Sequence, residues 1–156
     1  TGVQTCALPI FLLWRGHCSV HGRFSLSNVE EVRKRIPGVN VLVHPECQHD
    51  VVKAADHVGS TEGIIKMVKS AKSGSAWAIG TELNLVKRLA TENPDKNVVF
   101  LDKTVCYCST MNRIDLPHLV WAMEALNSGR LVNQIKVDDK TATFARLALE
   151  RMLALP

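Results

Sequence analysis

Aromatic residues make up only 5% of the 156-residue chain, and its Lys and Arg residues are scattered. The formal charge of +4 therefore forms no basic stripe interleaved with stacking rings, and a nucleic-acid partner is not expected. No run approaches the roughly 18 consecutive apolar residues that a membrane span needs. No C-x-x-C pair occurs, so a closed structural zinc site has little support. The five cysteines (Cys6, Cys18, Cys47, Cys106 and Cys108) are too sparse for a small disulfide scaffold. They fit metal or catalytic use in a reducing compartment better. Internal repeats, low-complexity segments and interdomain linkers are also absent.

What is present is an ordinary globular composition, 46% apolar and 22% charged, long enough for one α/β domain with a core. The opening "TGVQTCALPIFLLW" has the apolar run of a signal peptide but neither a basic flank nor a small-x-small cleavage site. Thr1–Ile10 resembles the translation of a common sequencing-adapter oligonucleotide. We therefore expect these ten residues to be an artefact on a gene fragment whose true N-terminal part is missing, which removes Cys6 from the count.

From Phe11 onward, short apolar runs alternate with helical patterns. "FLLW" (11–14) reads as a strand entering the loop "RGHCSVH". "SLSNVEEVRKRIPG" (25–38) reads as a helix, with Ser27 and Glu30 as a capping box and Pro37-Gly38 as its stop. "VNVLVH" (39–44) is a β-branched strand, followed by a helix over roughly 48–57 and another over 58–72 with Ser60 and Thr61 at its N-cap. "AWAIG" (76–80) and "NVVFL" (97–101) are strands on either side of a helix at 81–92. A helix at 116–129 has Pro117 in its first turn and Gly129 at its end, with Leu119, Trp121 and Leu126 expected to pack. A strand-like "NQIKV" (133–137) and a last helix at 138–155 complete the chain. This alternation predicts an α/β fold, a three-layer αβα domain with a short parallel sheet.

In such sheets ligands gather beyond the carboxyl ends of the strands. The chemically capable residues fall there repeatedly: Cys18 and His21, His44 and Glu46, Thr81 and Glu82, Cys106 and Cys108. "GHCSVH" sets a thiol and an imidazole three residues apart, a pair suited to borderline metals or to plain packing. "HPE" holds an imidazole and a carboxylate close together, fit for acid–base work or for a surface ion pair. "GST" (59–61) entering a helix offers amides and hydroxyls to an anion, or only an ordinary cap. His49, His57 and His118 read as surface or capping residues.

Taken together, "WRGHCSVH", "VLVHPEC", "ADHVGST", "AIGTE" and "CYCSTMNRIDLPHLVWAMEAL" resemble the C-terminal part of quinolinate synthase, the iron–sulfur enzyme of de novo NAD biosynthesis. The resemblance implies one of three α/β domains related by a pseudo-threefold axis, each giving one cysteine to a [4Fe-4S] cluster. It implies that residues 11–24 are the edge of the second domain, 25–115 the third, and 116–156 C-terminal helices. Motif by motif, the cluster ligands are Cys18 and Cys108, while Cys106 and Cys47 have no matching role and the third ligand is absent. His44 and Glu46 match the acid–base pair, and Ser60 and Thr61 the anchors for anionic substrate groups. His21 is carried as a further substrate contact. The implied substrates are iminoaspartate and dihydroxyacetone phosphate, in a cytoplasmic enzyme with a functional link to L-aspartate oxidase and no membrane or nucleic-acid partner. Two other readings stay open: a zinc-binding module built on Cys18, His21, Cys106 and Cys108, and a structural α/β domain whose cysteines merely pack.

Overall fold

The computed structural model describes residues 16–104 and 108–155. The expected strand at 11–14 and the residue Cys106 lie outside the described residues. Two compact units divide the chain, one ending at Asn112 and the other starting at Arg113.

In the first unit, a single 3-10 turn (His21–Arg23) leads into α1 (Leu26–Arg35), β1 (Asn40–Val43), α2 (His49–Ala54), β2 (His57–Val58), α3 (Thr61–Ser70), β3 (Ala76–Gly80), α4 (Leu83–Glu92) and β4 (Asn97–Phe100). All strand pairs are parallel, in the order β2-β1-β3-β4. The chain thus winds outward from β1 to β2, then crosses to the other side for β3 and β4. The point of reversal lies between β1 and β3, where a doubly wound sheet opens a crevice.

Alternation along the strands explains the layers. Val41 and Val43 of β1 and Ala78 of β3 point to one face, where they pack with Val29 and Val32 of α1 and Val51 of α2. Leu42, Trp77 and Ile79 point to the other, against Ile64 and Val68 of α3 and Val86 and Leu89 of α4. Val41, Leu42, Val43 and Ile79 are wholly buried. Each such side chain stabilises the sheet by about 1.5–3 kcal/mol. The three-layer αβα arrangement expected from the alternation is what these contacts build.

Three local expectations need correction. The N-cap of α1 is Ser25, and it is Asn28 that reaches back to the Ser25 N–H (2.9 Å). The pair Ser27 and Glu30 does not form the box, because the helix has already begun at Leu26. His57–Val58 is a short edge strand, held by pairing with Leu42–Val43 even though two residues carry almost no periodic signal. Residues 133–137 form no strand, since no partner strand pairs with them among the described residues; Asn133 there has φ of 55°.

The second unit contains α5 (Leu116–Asn127) and α6 (Asp139–Leu153), capped by Asp115 and Asp138. Pro117 and Gly129 occupy the start and end positions expected for α5. Leu119, Trp121 and Leu126 were expected to pack, yet they are exposed, as are Phe144 and Met152 of α6. Two helices with apolar residues on several faces cannot cover one another completely. Among the described residues, no helix is long and apolar enough to cross a membrane.

Packing is close at Gly80, the last residue of β3 at the sheet's carboxyl edge. A Cβ there would stand 2.9 Å from Leu101 Cδ2 and 3.0 Å from Val43 Cγ1. Gly80→Ala is expected to destabilise the protein by about 1–3 kcal/mol in urea denaturation. An unchanged midpoint would show that Leu101 and Val43 yield without cost.

Candidate functional site

The β1–β3 ladder runs in register through Val43 and Gly80, and one further rung places the first site residue: the His44 N–H donates to the Gly80 carbonyl at 3.1 Å. His44 therefore leaves the end of β1 beside the residue that leaves the end of β3, Thr81. The 3-10 turn brings His21 between them. Its ring stacks on His44 with centroids 4.3 Å apart and planes 11° from parallel. His21 Nε2 lies 3.1 Å from Thr81 Oγ1, and Nδ1 lies 3.1 Å from Glu46 Oε2. Both ring nitrogens of this buried histidine are thus occupied, by residues from two different strand ends.

Pro45 turns the chain so that the Glu46 N–H donates back to His44 Nδ1 at 3.2 Å. A ring that accepts at Nδ1 carries its proton on Nε2 when neutral. Burial is the main cause that holds His44 below the ordinary imidazole value, and the His21 ring adds to it while Glu46 opposes. The Glu46 carboxylate itself is largely exposed on the solvent side. Neutral donor and exposed acceptor form an arrangement able to move a proton at a bound molecule.

Cys18 joins this cluster. Its sulfur, one His21 ring nitrogen and one Glu46 oxygen lie within 4.8 Å of one another. This is a mixed S/N/O donor set of the kind that borderline metals accept. His17 precedes His21 by four residues but stays exposed and outside the group. The other described thiols differ sharply. Cys108, half-exposed, sits 3.0 Å from the Thr110 hydroxyl. That hydrogen bond, with further ones from the Met111 and Thr110 backbone, holds the thiol below its usual value although the Glu82 charge opposes. Cys47 is buried in the α1–α2 core and its S–H donates to the Gly80 carbonyl at 3.5 Å. Burial pushes its thiol up to about 12.

Ser60 is the N-cap of α3, and its hydroxyl oxygen accepts the Gly63 N–H at 3.2 Å. Thr61 stands on the wall of a cleft of about 460 Å3, shared with His21, Thr81, Glu82, Arg88 and Met111. The fold thus gathers His21, His44, Glu46 and Cys18 directly, and sets Thr61 in the cleft that His21 also lines. In the sequence Thr81 and Glu82 stand out only as strand-end residues. The signal for Thr81 was its place immediately after "AIG", opposite the histidine that follows β1. Arg88 gave no signal, because a helix-surface arginine is ordinary.

The contrast between thiols has a direct check. With a value near 12, only about a thousandth of Cys47 is thiolate at pH 9. Iodoacetamide mapping of the metal-free protein should therefore modify Cys108 well before Cys47. Equal rates would mean that the core around Cys47 opens freely.

The model of the quinolinate synthetase A protein family matches residues 5–154. The chain is 72% identical over 147 residues to the quinolinate synthase of Streptomyces coelicolor, covering 93% of this chain and 37% of that relative. It is 70% identical over 145 residues to the quinolinate synthase of a Nocardioides species, covering 93% of this chain and 37% of the relative. With the quinolinate synthase of Listeria monocytogenes the identity is 54% over 144 residues, covering 92% and 39%. The chain thus spans under two-fifths of the length of these relatives. A family model that runs through every strand and helix around the His21–His44–Glu46 cluster leaves one assignment, and the chain belongs to the quinolinate synthetase A family.

Proposed function

We propose that this chain is the C-terminal part of a cytoplasmic quinolinate synthase, which condenses iminoaspartate with dihydroxyacetone phosphate in de novo NAD biosynthesis. The observation that carries the reading is the convergence of Cys18, His21, His44 and Glu46 at the strand-order reversal, in a chain of that family. Residues 25–115 would be the third of three pseudo-threefold-related domains, residues 11–24 the edge of the second, and residues 116–156 the C-terminal helices. An L-aspartate oxidase would supply the iminoaspartate.

The thiols fit part of a [4Fe-4S] cluster. Cys18 lies among metal-capable donors, and Cys108 is half-exposed and hydrogen-bonded in a way that favours its thiolate. Cys47 is buried and its S–H donates to the Gly80 carbonyl, so in this reading it packs and is not assigned as a ligand. Cys18 and Cys108 would hold two irons, and a third thiolate would come from outside this chain. When bound, the cluster supplies an open iron that polarises substrate oxygens as a Lewis acid.

The chain's own residues account for the proton movements. His44 Nε2–H donates to an oxygen that leaves as water or phosphate. The exposed Glu46 carboxylate removes a proton from the condensing carbon skeleton, and pyridine ring formation needs both steps. His21, fixed by Thr81, holds Glu46 in place through its Nδ1. Ser60 and Thr61, at the amino end of α3, bind anionic groups of the substrates.

In the intact protein, His44→Ala and Glu46→Gln should each lower kcat by about 10²- to 10⁴-fold with iron and sulfide content unchanged. Cys18→Ser and Cys108→Ser should instead lose the cluster. If Cys106→Ser alone loses it, the assignment to Cys108 is wrong. One tightly bound zinc without sulfide would favour the zinc module, for which the Cys18–His21–Glu46 group is the available donor set. After anaerobic reconstitution the chain by itself should make no quinolinate.

A further inference from the structure

A buried polar atom without a partner is rare in a folded protein, and each one calls for a donor or acceptor from elsewhere. Among the described residues, Glu82 Oε1 is the one buried side-chain nitrogen or oxygen atom left in that position. The residue is only 9% exposed. Its other oxygen is fully explained: Oε2 accepts the N–H of Asn84 at 2.8 Å and of Leu85 at 3.2 Å, capping α4. Buried polar neighbours are satisfied within the fold, His21 by Thr81 and Glu46, and Asn93 by the Leu89 carbonyl at 2.8 Å. The orphaned oxygen belongs to a residue on the wall of the cleft that also contains His21, Thr61, Thr81 and Arg88. A helix cap needs only one carboxylate oxygen, and Ser, Thr or Asn would cap as well. Nothing in the fold therefore accounts for the second oxygen.

We propose that Glu82 Oε1 accepts a hydrogen bond from the free hydroxyl of the three-carbon ketose phosphate, and so selects that substrate in the cleft. The inference rests on the quinolinate synthase reading and adds to it a residue that reads one of the two substrates. The donor must be an O–H or N–H group, since a carboxylate oxygen can only accept. Iminoaspartate carries two carboxylates close to its N–H, and a carboxylate facing them would repel it. In dihydroxyacetone phosphate the hydroxyl and the phosphate lie at opposite ends of the carbon chain. The hydroxyl can meet Glu82 while the phosphate stays apart, and both Glu82 and Arg88 line the same cleft.

The test uses the intact, cluster-loaded protein with Glu82→Gln and Glu82→Asp. Glutamine keeps a carbonyl oxygen for the Asn84 and Leu85 amides and turns the unpartnered acceptor into a donor. Aspartate keeps a capping carboxylate but withdraws it from the cleft. Loss of a hydrogen bond to a charged acceptor predicts a rise of about 10- to 100-fold in KM for dihydroxyacetone phosphate with Glu82→Gln. The thermal shift induced by adding dihydroxyacetone phosphate alone should shrink in both variants. KM for iminoaspartate, the iron and sulfide content and the ligand-free melting temperature should stay close to those of the unsubstituted protein. Unchanged affinity for dihydroxyacetone phosphate in both variants overturns the proposal. So does a lowered ligand-free melting temperature with both KM values moving together, which would mark Glu82 as a cap and nothing more. If the unsubstituted protein neither binds dihydroxyacetone phosphate nor makes quinolinate, the underlying reading fails first and takes this inference with it.

Discussion

The site depends on one hydrogen-bonded ladder, that between β1 and β3. These strands meet where the winding of the sheet reverses, and their register puts Val43 opposite Gly80. The next rung, His44 N–H to the Gly80 carbonyl, carries the pairing one residue past the strand end. It fixes His44 and Thr81 as neighbours. Gly80 makes this possible because Leu101 and Val43 already fill the space a side chain would need. The same carbonyl accepts the Cys47 thiol. Three requirements thus fall on one backbone position: strand pairing, core packing and site placement.

His21 ties the two strand ends into one cluster. It arrives from a 3-10 turn outside the sheet, is nearly buried, and spends each ring nitrogen on a different loop. Stacking on His44 at 4.3 Å places two imidazoles where two positive charges would repel strongly. That repulsion, with burial, explains why His44 favours its neutral form. The electrostatics of the pair therefore follow mainly from packing, which outweighs the opposing charge of Glu46.

Much of this was legible in the sequence. The β-branched run "VNVLV" and the "AWAIG" segment announced buried parallel strands, and the residues after them announced the site. The contacts that define the cluster were not legible, because His21 and Thr81 are 60 residues apart and only the crossover brings them together. The edge strand His57–Val58 leaves no trace in the sequence pattern, because pairing, and not periodicity, makes it a strand. Ser25 and Ser27 offer the same capping chemistry, and only the backbone decides that Ser25 caps α1. Leu119, Trp121 and Leu126 carry an apolar pattern that predicts burial, yet a pattern states an appetite for cover without saying what supplies it.

The double engagement of His21 has a consequence for the choice between metals. A mononuclear ion in the Cys18–His21–Glu46 group would take one ring nitrogen of His21, and both are already engaged, one by Glu46 and the other by Thr81. Occupation by such an ion and retention of both His21 hydrogen bonds are mutually exclusive states of one ring. A divalent ion seated there would also engage a Glu46 oxygen, so that the carboxylate would serve as a ligand and not as a base.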